Sequence, residues 1–254
     1  MSRLFDVADR HVLVTGGTKG IGEMIVRGFH EAGAMVYVSS RTEADCSAIT
    51  RELGHRAIPV PADVSSQLGC QTLVSDLASH TDHLDVLVNN AGATWGADLE
   101  QYPDAAWDKV LALNLKAPFH LTVACLELLR AAASEQRPSR IVNIGSVDGM
   151  HVPMWESYAY SSSKAAVHQL TRHIAKRLAP EHITVNAIAP GIFPSKMTQF
   201  AFDHAEDELI EATPMGRTGQ PDDAAGAAIF LASPAASWVT GVVLPVDGGL
   251  ATLL

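Results

Sequence analysis

Tyr160 and Lys164 stand four residues apart, just ahead of a long helical pattern that ends near Leu178. Positions i and i+4 share one face of a helix, so both side chains are expected to face the same space. A lysine ammonium near a phenol favours the phenolate and is expected to lower the pKa of Tyr160. Bringing a phenol from its usual value towards neutrality takes about 3–4 kcal/mol. The spacing predicts general acid/base chemistry at Tyr160, with a solvated surface pair as the alternative.

Tyr158 is the competing phenol in the same segment. It lies six residues before Lys164 and therefore off the helix face that positions i and i+4 share. This spacing favours Tyr160 over Tyr158 as the residue that transfers a proton.

Two further polar residues are placed to assist such a phenol. Ser146 follows a predicted strand, Arg140–Ile144, where its hydroxyl can hydrogen-bond a substrate carbonyl. No glycine stands two residues after it, which disfavours the GxSxG elbow of esterases. Asn114 lies in a predicted helix, 104–133, close to Pro118. Because proline removes a backbone hydrogen bond, the helix is expected to be disturbed there and to free an Asn114 group for a water. A tolerated polar residue beside a kink is the alternative.

A glycine-rich turn near the start of the chain predicts phosphate binding. The apolar run His11–Thr15 leads into Gly16-Gly17-Thr18-Lys19-Gly20-Ile21-Gly22, after which apolar residues recur at helical spacing. Glycines let backbone approach a pyrophosphate, and a helix N-terminus offers unpaired N–H groups with partial positive charge. The spacing is Gly-x-x-x-Gly-x-Gly rather than GxGxxG, and an ordinary turn is the alternative.

The end of the second predicted strand, Ala34–Ser39, indicates which dinucleotide is bound. NAD binders carry an acidic residue there for the ribose 2′-hydroxyl, whereas this chain has Ser39, Ser40 and then Arg41. A guanidinium suits a 2′-phosphate, and Lys19 in the glycine turn supplies a second positive charge. The sequence therefore predicts NADP(H) rather than NAD(H), with a solvated loop arginine as the alternative.

Polar residues follow two more predicted strands. Asp63 comes after the strand 56–61, where it can accept from an adenine amino group or cap the helix that starts near Ser65. Asn89-Asn90-Ala91-Gly92 follows the strand Leu84–Val88, and such small and amide residues suit close approach of backbone to a flat ligand.

Strands and helices alternate along the whole sequence, which predicts an α/β fold with a parallel sheet covered on both faces. Seven strands are predicted, the last two at 183–189 and 241–246, within one domain over residues 1–254. The half-apolar stretch 192–217 after Pro190-Gly191 is expected to form a substrate lid, with an ordinary surface helix as the alternative.

Composition excludes several classes of protein. The chain has 254 residues, 47% hydrophobic, with a net charge of −10, which disfavours nucleic acid and membrane surfaces as partners. No signal peptide and no long uncharged apolar span appear. Three separated cysteines predict reduced, buried thiols and a cytoplasmic protein. The eleven histidines show no HExxH spacing, so no metal site is expected.

The motifs together resemble the short-chain dehydrogenase/reductase family over about residues 8 to 250. The matching motifs are Thr-Gly-x-x-x-Gly-x-Gly at 15–22, Asp63, Asn-Asn-Ala-Gly at 89–92, Asn114, Ser146, Tyr160-x-x-x-Lys164 and Pro190-Gly191. The resemblance implies a Rossmann-like three-layer sandwich, a homotetramer, and a catalytic tetrad of Asn114, Ser146, Tyr160 and Lys164. The cofactor-binding residues that it implies, or that the patterns above single out, are Gly16, Thr18, Lys19, Gly20, Ile21, Gly22, Arg41, Asp63, Val64, Asn90, Ala91, Gly92, Tyr160, Lys164, Pro190, Gly191, Ile192 and Ser195.

Within that family the chain is most similar to the NADPH-dependent β-ketoacyl reductases of the rhamnolipid-linked type. The similarity lies in Met-Val-Tyr-Val-Ser-Ser-Arg at 35–41, Thr-Trp-Gly at 94–96 and Phe-Pro-Ser-Lys-Met-Thr at 193–198. It implies reduction of a ketone or 3-oxoacyl thioester to a secondary alcohol. Tyr160 would give the proton, Ser146 would hold the oxygen, Lys164 would lower the pKa of Tyr160 and hold the ribose, and Asn114 would position a water. The expected substrate contacts are Trp95, Trp155, Phe193 and Met197.

Other functions stay open at this point. An acyl carrier protein is one expected partner, with Arg172, Lys176 and Arg177 as its docking patch. A dehydrogenase of a sugar, polyol or steroid alcohol is the alternative enzyme, and a non-catalytic NADP(H) sensor is a third reading. Enoyl reductases of the superfamily carry a tyrosine seven residues before the lysine, where this chain has Ser157, so enoyl reduction is disfavoured.

Overall fold

The computed structural model describes residues 3–195 and 198–252. Its strands are β1 His11–Thr15, β2 Met35–Ser39, β3 Ala57–Pro59, β4 Val86–Asn89, β5 Ser139–Ile144, β6 Ile183–Pro190 and β7 Val243–Val246. The α-helices of the described residues are α1 Gly20–Glu31, α2 Glu43–Leu53, α3 Gln67–Leu77, α4 Asp104–Leu111, α5 Ala117–Ala124, α6 Leu126–Ala132, α7 Tyr158–Leu178, α8 Gln199–Glu211 and α9 Pro221–Ala232.

All seven strands pair in parallel, in the order β3-β2-β1-β4-β5-β6-β7. The chain reverses its direction of travel across the sheet between β1 and β4. In open α/β sheets ligands bind at the carboxyl edge of the strands beside such a reversal. The predicted fold class is therefore confirmed, and the topology places the loops after β1 and β4 at the position where a ligand site is expected.

Side chains of the central strands alternate between two cores, because successive residues of a strand point to opposite faces. Val12 and Val14 pack with Ile25 and Phe29 of α1 on one face. Leu13, between them, belongs to the cluster formed with α3, α5 and α7 on the other face. Both faces of the sheet are thus covered by helices.

The single long helix predicted over 104–133 is wrong in detail. The chain instead forms α4, a π-helical turn over Ala112–Lys116, then α5, and α6 turns away by 55°. In the π turn the Ala117 N–H donates to the Ala112 carbonyl, one residue further back than in an α-helix. The predicted disturbance around Asn114 and Pro118 is present, and it takes the form of this turn.

The outer strands are shorter than predicted. β3 covers Ala57–Pro59 rather than 56–61, although the N–H groups of Val60 and Ala62 still donate to the Val38 and Ser40 carbonyls at 3.0 and 2.9 Å. β7 begins at Val243 rather than 241, since Gly241 adopts a φ of +78°, outside the strand conformation.

The three cysteines, Cys46, Cys70 and Cys125, are free and buried, as the sequence predicts. Within the described chain no single helix has the length and apolar character to cross a membrane, although the bent pair 104–124 and 126–132 meets both measures when taken together. That pair carries buried side chains, including Val110 and Leu129, in the protein core.

Candidate active site

The carboxyl ends of β1, β2, β4, β5 and β6 open into a cleft of about 400 Å³. Most of the predicted site residues line it: Gly16, Thr18, Lys19, Gly20, Ile21, Arg41, Asp63, Val64, Asn90, Ala91, Gly92, Ser146, Tyr160, Lys164, Pro190, Gly191, Phe193 and Ser195. The structure thus brings together residues that are up to 179 positions apart in sequence, between Gly16 and Ser195.

The glycine turn fits a phosphate group. A Cβ on Gly22 would lie 2.2 Å from the Gly16 carbonyl oxygen, so only glycine allows this close folding of the turn. Lys19 occupies the N-cap of α1 without capping it through its side chain, which leaves the first N–H groups of the helix to a ligand. The buried Ser39 hydroxyl, at the end of β2, also lacks a partner within the described chain. A dinucleotide would supply acceptors here.

Thr15 and Asn90 fix the turn against the end of β4. The Asn90 side-chain amide donates to the carbonyl oxygens of Thr15 at 2.9 Å and Gly16 at 3.1 Å. In return, the Thr15 hydroxyl accepts from the N–H groups of Asn90 and Ala91, both at 3.1 Å. Asn90 therefore joins the glycine turn to the end of β4 through hydrogen bonds. Its position after a strand did not predict this structural role.

A carboxylate is present at the end of the cleft where the sequence had indicated only cations. Asp45, in the first turn of α2, lines the cleft and pairs with Lys19 at 2.8 Å. The residues directly after β2 include no acid, as the sequence shows, but Asp45 reaches the cleft from four positions after Arg41.

Asp63 does not cap a helix. Ser66 is the N-cap of α3, and its hydroxyl accepts from the Gly69 N–H at 3.1 Å. The Asp63 carboxylate instead accepts from the Ser65 N–H at 3.0 Å, and this bond together with the Arg41 charge holds the pKa of Asp63 below its usual value. Because Asp63 lines the cleft, a contact with the adenine amino group remains the predicted role of its carboxylate.

Tyr160 and Lys164 lie on one face of α7, as their spacing predicts. The Lys164 Nζ is 5.5 Å from the centroid of the Tyr160 ring and donates to the Ile144 carbonyl at 2.8 Å. Tyr158 lies in a neighbouring cavity and packs edge-on against Tyr102.

The expectation that Lys164 lowers the pKa of Tyr160 is wrong for the chain alone. Burial, helped by the Asp148 carboxylate, raises the pKa of Tyr160 to about 12, and a hydrogen bond with Ser146 offsets only part of that rise. Burial also lowers the pKa of Lys164 to about 8. The physical reason is desolvation, which disfavours the charged form of both groups. At neutral pH the phenol therefore carries its proton and can act as an acid.

Asp148, which sequence reasoning missed, lines the neighbouring cavity rather than the cleft and acts on Tyr160 and Lys164 through its charge. It lies in the short 3₁₀ turn Val147–Gly149 that follows Ser146, and the Ser146 hydroxyl accepts from its N–H at 3.1 Å. Burial raises the pKa of Asp148, while the charges of His151 and Lys164 oppose that rise. In the sequence, only its position two residues after Ser146 indicated that Asp148 lies near the site.

His168 supports the turn that carries Ser146. Its side chain is 4% exposed and fits against two glycines, with Nε2 2.1 Å from the place of a Cβ on Gly145 and Cε1 3.0 Å from that on Gly149. Burial lowers the pKa of His168 to about 4, so the ring is neutral. His168 lies one helical turn after Lys164 in α7. The sequence shows this spacing, but no known motif includes the histidine.

The Asn114 side chain lies behind the cleft, where it is 2% exposed. Its Oδ1 accepts from the Ala93 N–H at 2.8 Å, and its amide donates to the Ala93 carbonyl at 2.9 Å and the Ser163 hydroxyl at 3.0 Å. Ser163 in turn donates to the Tyr160 carbonyl at 2.7 Å. Asn114 therefore joins the loop after β4 to the first turn of α7.

The predicted substrate contacts are spread over several places. Phe193 lines the cleft, Trp155 lines the neighbouring cavity beside Tyr158, and Trp95 is 38% exposed with Lys109 5.1 Å from its ring centroid. Met197 lies outside the described residues. Ile192, predicted to touch the cofactor, lines another cavity near Thr213 instead.

Further residues line the cleft without having been predicted: Thr15, Ser39, Ser40, Thr42, Asp45, Ala62, Leu113, Ile144, Gly145 and Thr198. Most are immediate neighbours of predicted ones. Thr198 is tied to Ser195, since its hydroxyl accepts from the Ser195 N–H at 3.0 Å. In the described ranges no three His, Cys, Asp or Glu side chains are grouped as a metal site would need.

Known proteins resemble this chain over nearly its whole length. A family model described as enoyl-(acyl carrier protein) reductase matches residues 16–251. The rhamnolipids biosynthesis 3-oxoacyl-(acyl-carrier-protein) reductase of Pseudomonas aeruginosa is 46% identical over 253 residues, covering 98% of this chain and 99% of the relative. The galactitol 2-dehydrogenase (L-tagatose-forming) of Cereibacter sphaeroides is 39% identical, covering 93% and 92%. The solved Pseudomonas aeruginosa RhlG/NADP active-site complex superposes with a TM-score of 0.95 at 44% identity, covering 99% of this chain and 100% of that one.

With this cleft at the carboxyl edge of a doubly wound parallel sheet, these matches define the class. The chain belongs to the short-chain dehydrogenase/reductase family and is an oxidoreductase. Within the family it is similar to the rhamnolipids biosynthesis 3-oxoacyl-(acyl-carrier-protein) reductase, and the resemblance stated from its motifs is confirmed.

Proposed function

We propose that this protein is an NADPH-dependent reductase of 3-oxoacyl thioesters, which converts the ketone to a secondary alcohol. The observation that carries the proposal is the meeting of Ser146, Tyr160 and Lys164 with the cations Lys19 and Arg41 in one cleft. The similarity to a 3-oxoacyl reductase and to an NADP complex supports the same reaction and cofactor. The three side chains suited to proton transfer also disfavour a non-catalytic NADP(H) sensor.

The cleft walls supply the groups that would hold NADPH. The glycine turn and the start of α1 would bind the pyrophosphate, and Lys19 and Arg41 the 2′-phosphate. Asp63 and Val64 would bound the adenine, while Asn90, Ala91 and Gly92 would lie along the dinucleotide, and Ser195 near the nicotinamide amide. Bound NADPH supplies the hydride that reduces the ketone carbon.

The protein's own side chains would manage the proton. Tyr160, protonated because burial raises its pKa to about 12, donates to the ketone oxygen as that oxygen gains negative charge. Ser146 holds the same oxygen through its hydroxyl. Lys164, whose Nζ is 5.5 Å from the centroid of the phenol ring, would stabilise the phenolate that remains and would hold the nicotinamide ribose.

After Tyr160 has given its proton to the substrate, a water held by Asn114 is proposed to help return a proton to the phenolate. Its side chain is already committed to Ala93 and Ser163, so its backbone carbonyl is the group proposed to position a water. In an α-helix that carbonyl would accept from the residue four positions on, which is Pro118 and has no N–H. The π turn around Asn114 fits this use of the carbonyl.

The segment 192–217 is proposed as the substrate lid of one NADP(H)-binding unit over residues 1–254. Phe193 and Ser195 line the cleft at its start, and α8 follows, with non-helical backbone at Ala205 where the helix is interrupted. Trp155 is 41% exposed in the cavity beside Tyr158, and this apolar surface suits an acyl chain. Met197 stays a predicted contact.

Enoyl reduction, the activity in the description of the matching family model, is not favoured by the residues. The tyrosine that the resemblance places seven residues before the lysine in enoyl reductases is Ser157 here. Ser157 is 8% exposed, and its hydroxyl donates to the Trp155 carbonyl at 3.4 Å. An enoyl thioester therefore serves as a negative control in the substrate test.

A polyol or sugar dehydrogenase is the second candidate, favoured by the similarity to galactitol 2-dehydrogenase. Such a substrate needs several hydroxyl partners beside the cleft. The cavity beside Tyr158 carries apolar side chains, such as Met154 and Trp155, but also polar ones, such as His151, Glu156 and Ser161, so the substrate screen decides between the two candidates.

The test is a screen of the purified protein for oxidation of NADPH, followed by its absorbance. Acetoacetyl and longer 3-oxoacyl thioesters of coenzyme A and of acyl carrier protein are compared with enoyl thioesters, ketosugars and a ketosteroid. Turnover of 3-oxoacyl thioesters at least tenfold above the other substrates is expected. Preferential turnover of a ketosugar would replace the proposal with the second candidate.

An acyl carrier protein is proposed as the donor of the thioester. Arg172, Lys176 and Arg177 are exposed on α7, and carrier proteins are acidic. Arg177 also pairs with Glu181, which reduces the charge that the patch offers. A higher KM for the carrier-bound substrate in Arg172→Glu, with the coenzyme A thioester unaffected, would support this surface.

A homotetramer in the cytoplasm is proposed from the family resemblance and from exposed apolar side chains. Phe119 and Val123 of α5 are 45% and 50% exposed, and Trp238, before β7, is 98% exposed. Light scattering with size exclusion is expected to give four times the mass of 27.0 kDa, and a monomer would contradict the proposal.

A further inference from the structure

The ion pair between Lys19 and Asp45 spans the mouth of the cleft. Lys19 belongs to the glycine turn and Asp45 to α2, so the 2.8 Å contact connects the two walls between which the adenosine end of a dinucleotide would lie. The side chains are 63% and 36% exposed, which leaves both accessible to an incoming ligand. Exposed pairs of this kind are weak and exchange readily with other ions.

This end of the cleft holds as many carboxylates as cations. Lys19 faces Asp45, and Arg41 interacts with Asp63, whose pKa it lowers. A phosphate monoester brings more than one negative charge at neutral pH. It can therefore compete with a single carboxylate for Lys19, whereas a ribose hydroxyl cannot.

We propose that Asp45 is a specificity-determining residue: its carboxylate holds Lys19 in the protein without cofactor, and the 2′-phosphate of NADPH displaces it. This inference rests on the proposed use of NADPH. The phosphate must break the Lys19–Asp45 pair before it can bind Lys19, so Asp45 moderates the affinity for NADPH. NADH has no 2′-phosphate to displace Asp45 and gains nothing from its removal.

The experiment measures dissociation constants of the full chain for NADPH and NADH by fluorescence titration at fixed ionic strength. Asp45→Asn is expected to bind NADPH about 3- to 10-fold more tightly than the unsubstituted protein, which is the size of effect expected from one solvent-screened charge. NADH affinity is expected to stay within about twofold. In a Lys19→Ala background the same substitution is expected to change NADPH affinity by less than about twofold, because the partner of Asp45 is gone.

Glu43→Gln is the matched control. Glu43 is in the same first turn of α2 and exposed, but it neither pairs with Lys19 nor lines the cleft. An equal gain in Glu43→Gln would mean that net charge alone is responsible and would overturn the role of Asp45.

The outcomes separate this inference from the proposed function. A protein that prefers NADPH, but whose affinity is unchanged or weakened by Asp45→Asn, would refute Asp45 and leave the proposed cofactor intact. A protein that binds NADH more tightly than NADPH would refute both.

Discussion

At one end of the cleft Lys164 is 5% exposed and its ammonium contacts a backbone carbonyl, while at the other end the Lys19 side chain is 63% exposed against a carboxylate. Both are lysines in one cavity, and burial lowers the pKa of Lys164 to about 8. Burial removes water from Lys164, whereas water and salt screen the charge of Lys19.

This difference separates two tasks. The buried end changes the acidity of Tyr160 and Lys164 through desolvation and a single carboxylate, Asp148, so that small structural changes there should affect turnover. The exposed end carries charges that attract or repel a phosphate without entering the reaction. Substitutions at the two ends should therefore change different kinetic quantities.

Tyr160→Phe should have the largest effect, because it removes the proton donor and keeps the ring. Reduction of the 3-oxoacyl thioester is expected to fall by about 10³-fold in kcat, within the range for general acid catalysis. The dissociation constant for NADPH, measured by titration, is expected to stay within about threefold. Turnover that persists at the original rate would remove Tyr160 from the mechanism.

Gly145→Ala should damage the same end through packing. The new Cβ would lie 2.1 Å from His168 Nε2, so the turn that holds Ser146 must shift. We expect a loss of about 1–3 kcal/mol in unfolding free energy and of about 10²-fold in kcat. The measurements are denaturant unfolding and steady-state rates.

Gly226→Ala is the control for that substitution, because outside the adjoining backbone of α9 no atom lies within 4 Å of a Cβ at Gly226. It should leave kcat unchanged and stabilise the helix slightly. If Gly145→Ala behaved like Gly226→Ala, the packing of His168 against the Ser146 turn would have no functional weight.

Arg41→Asp tests the exposed end. It replaces a cation for the 2′-phosphate with a carboxylate suited to a ribose hydroxyl, so the ratio of kcat/KM for NADPH over NADH should fall by about tenfold or more. The value of kcat at saturating NADPH should change little. Arg51→Asp, on an exposed position of α2 away from the cleft, should leave the ratio unchanged.

The smallest effect on activity at neutral pH is expected from Asp148→Asn, which should mainly change how kcat/KM depends on pH. Burial lowers the pKa of Lys164 to about 8, so kcat/KM for NADPH, which reports on the free enzyme, should decline as pH rises through that value. Asp148 raises the pKa of both Tyr160 and Lys164. Asp148→Asn should therefore move the alkaline decline to lower pH, whereas Glu156→Gln, an exposed acid of the same loop, should not.

An alkaline decline that stayed in place or moved upward in Asp148→Asn would contradict the coupling of this carboxylate to the catalytic pair. The shift isolates electrostatics from packing, since asparagine preserves the shape of the side chain.

The fold and the main site residues followed from local patterns. Apolar runs separated by helical periodicity predicted the seven strands, and each polar motif stood directly after a strand, where a parallel sheet gathers ligand contacts. Tyr160 and Lys164 were predictable because helix geometry alone fixes their relation.

The remaining site residues depend on contacts between distant segments. Asp45 reaches the cleft through the packing of α2, and the pairing of His168 with Gly145 and Gly149 joins two elements without a shared motif. The raised pKa of Tyr160 is a property of burial, which spacing does not reveal. Even the π turn at Asn114 was predictable only as a disturbance, since sequence did not indicate which backbone pattern would replace the α-helix.

The central claim is that the hydride of NADPH reaches the ketone carbon while Tyr160 protonates the oxygen. The most direct measurement uses NADPH that carries deuterium at the transferable position of the nicotinamide, mixed with enzyme and a 3-oxoacyl thioester. Mass spectrometry should find one deuterium on the carbon of the new alcohol, and Tyr160→Phe should form this product about 10³-fold more slowly. Deuterium at another carbon, or an undeuterated alcohol, would contradict the account.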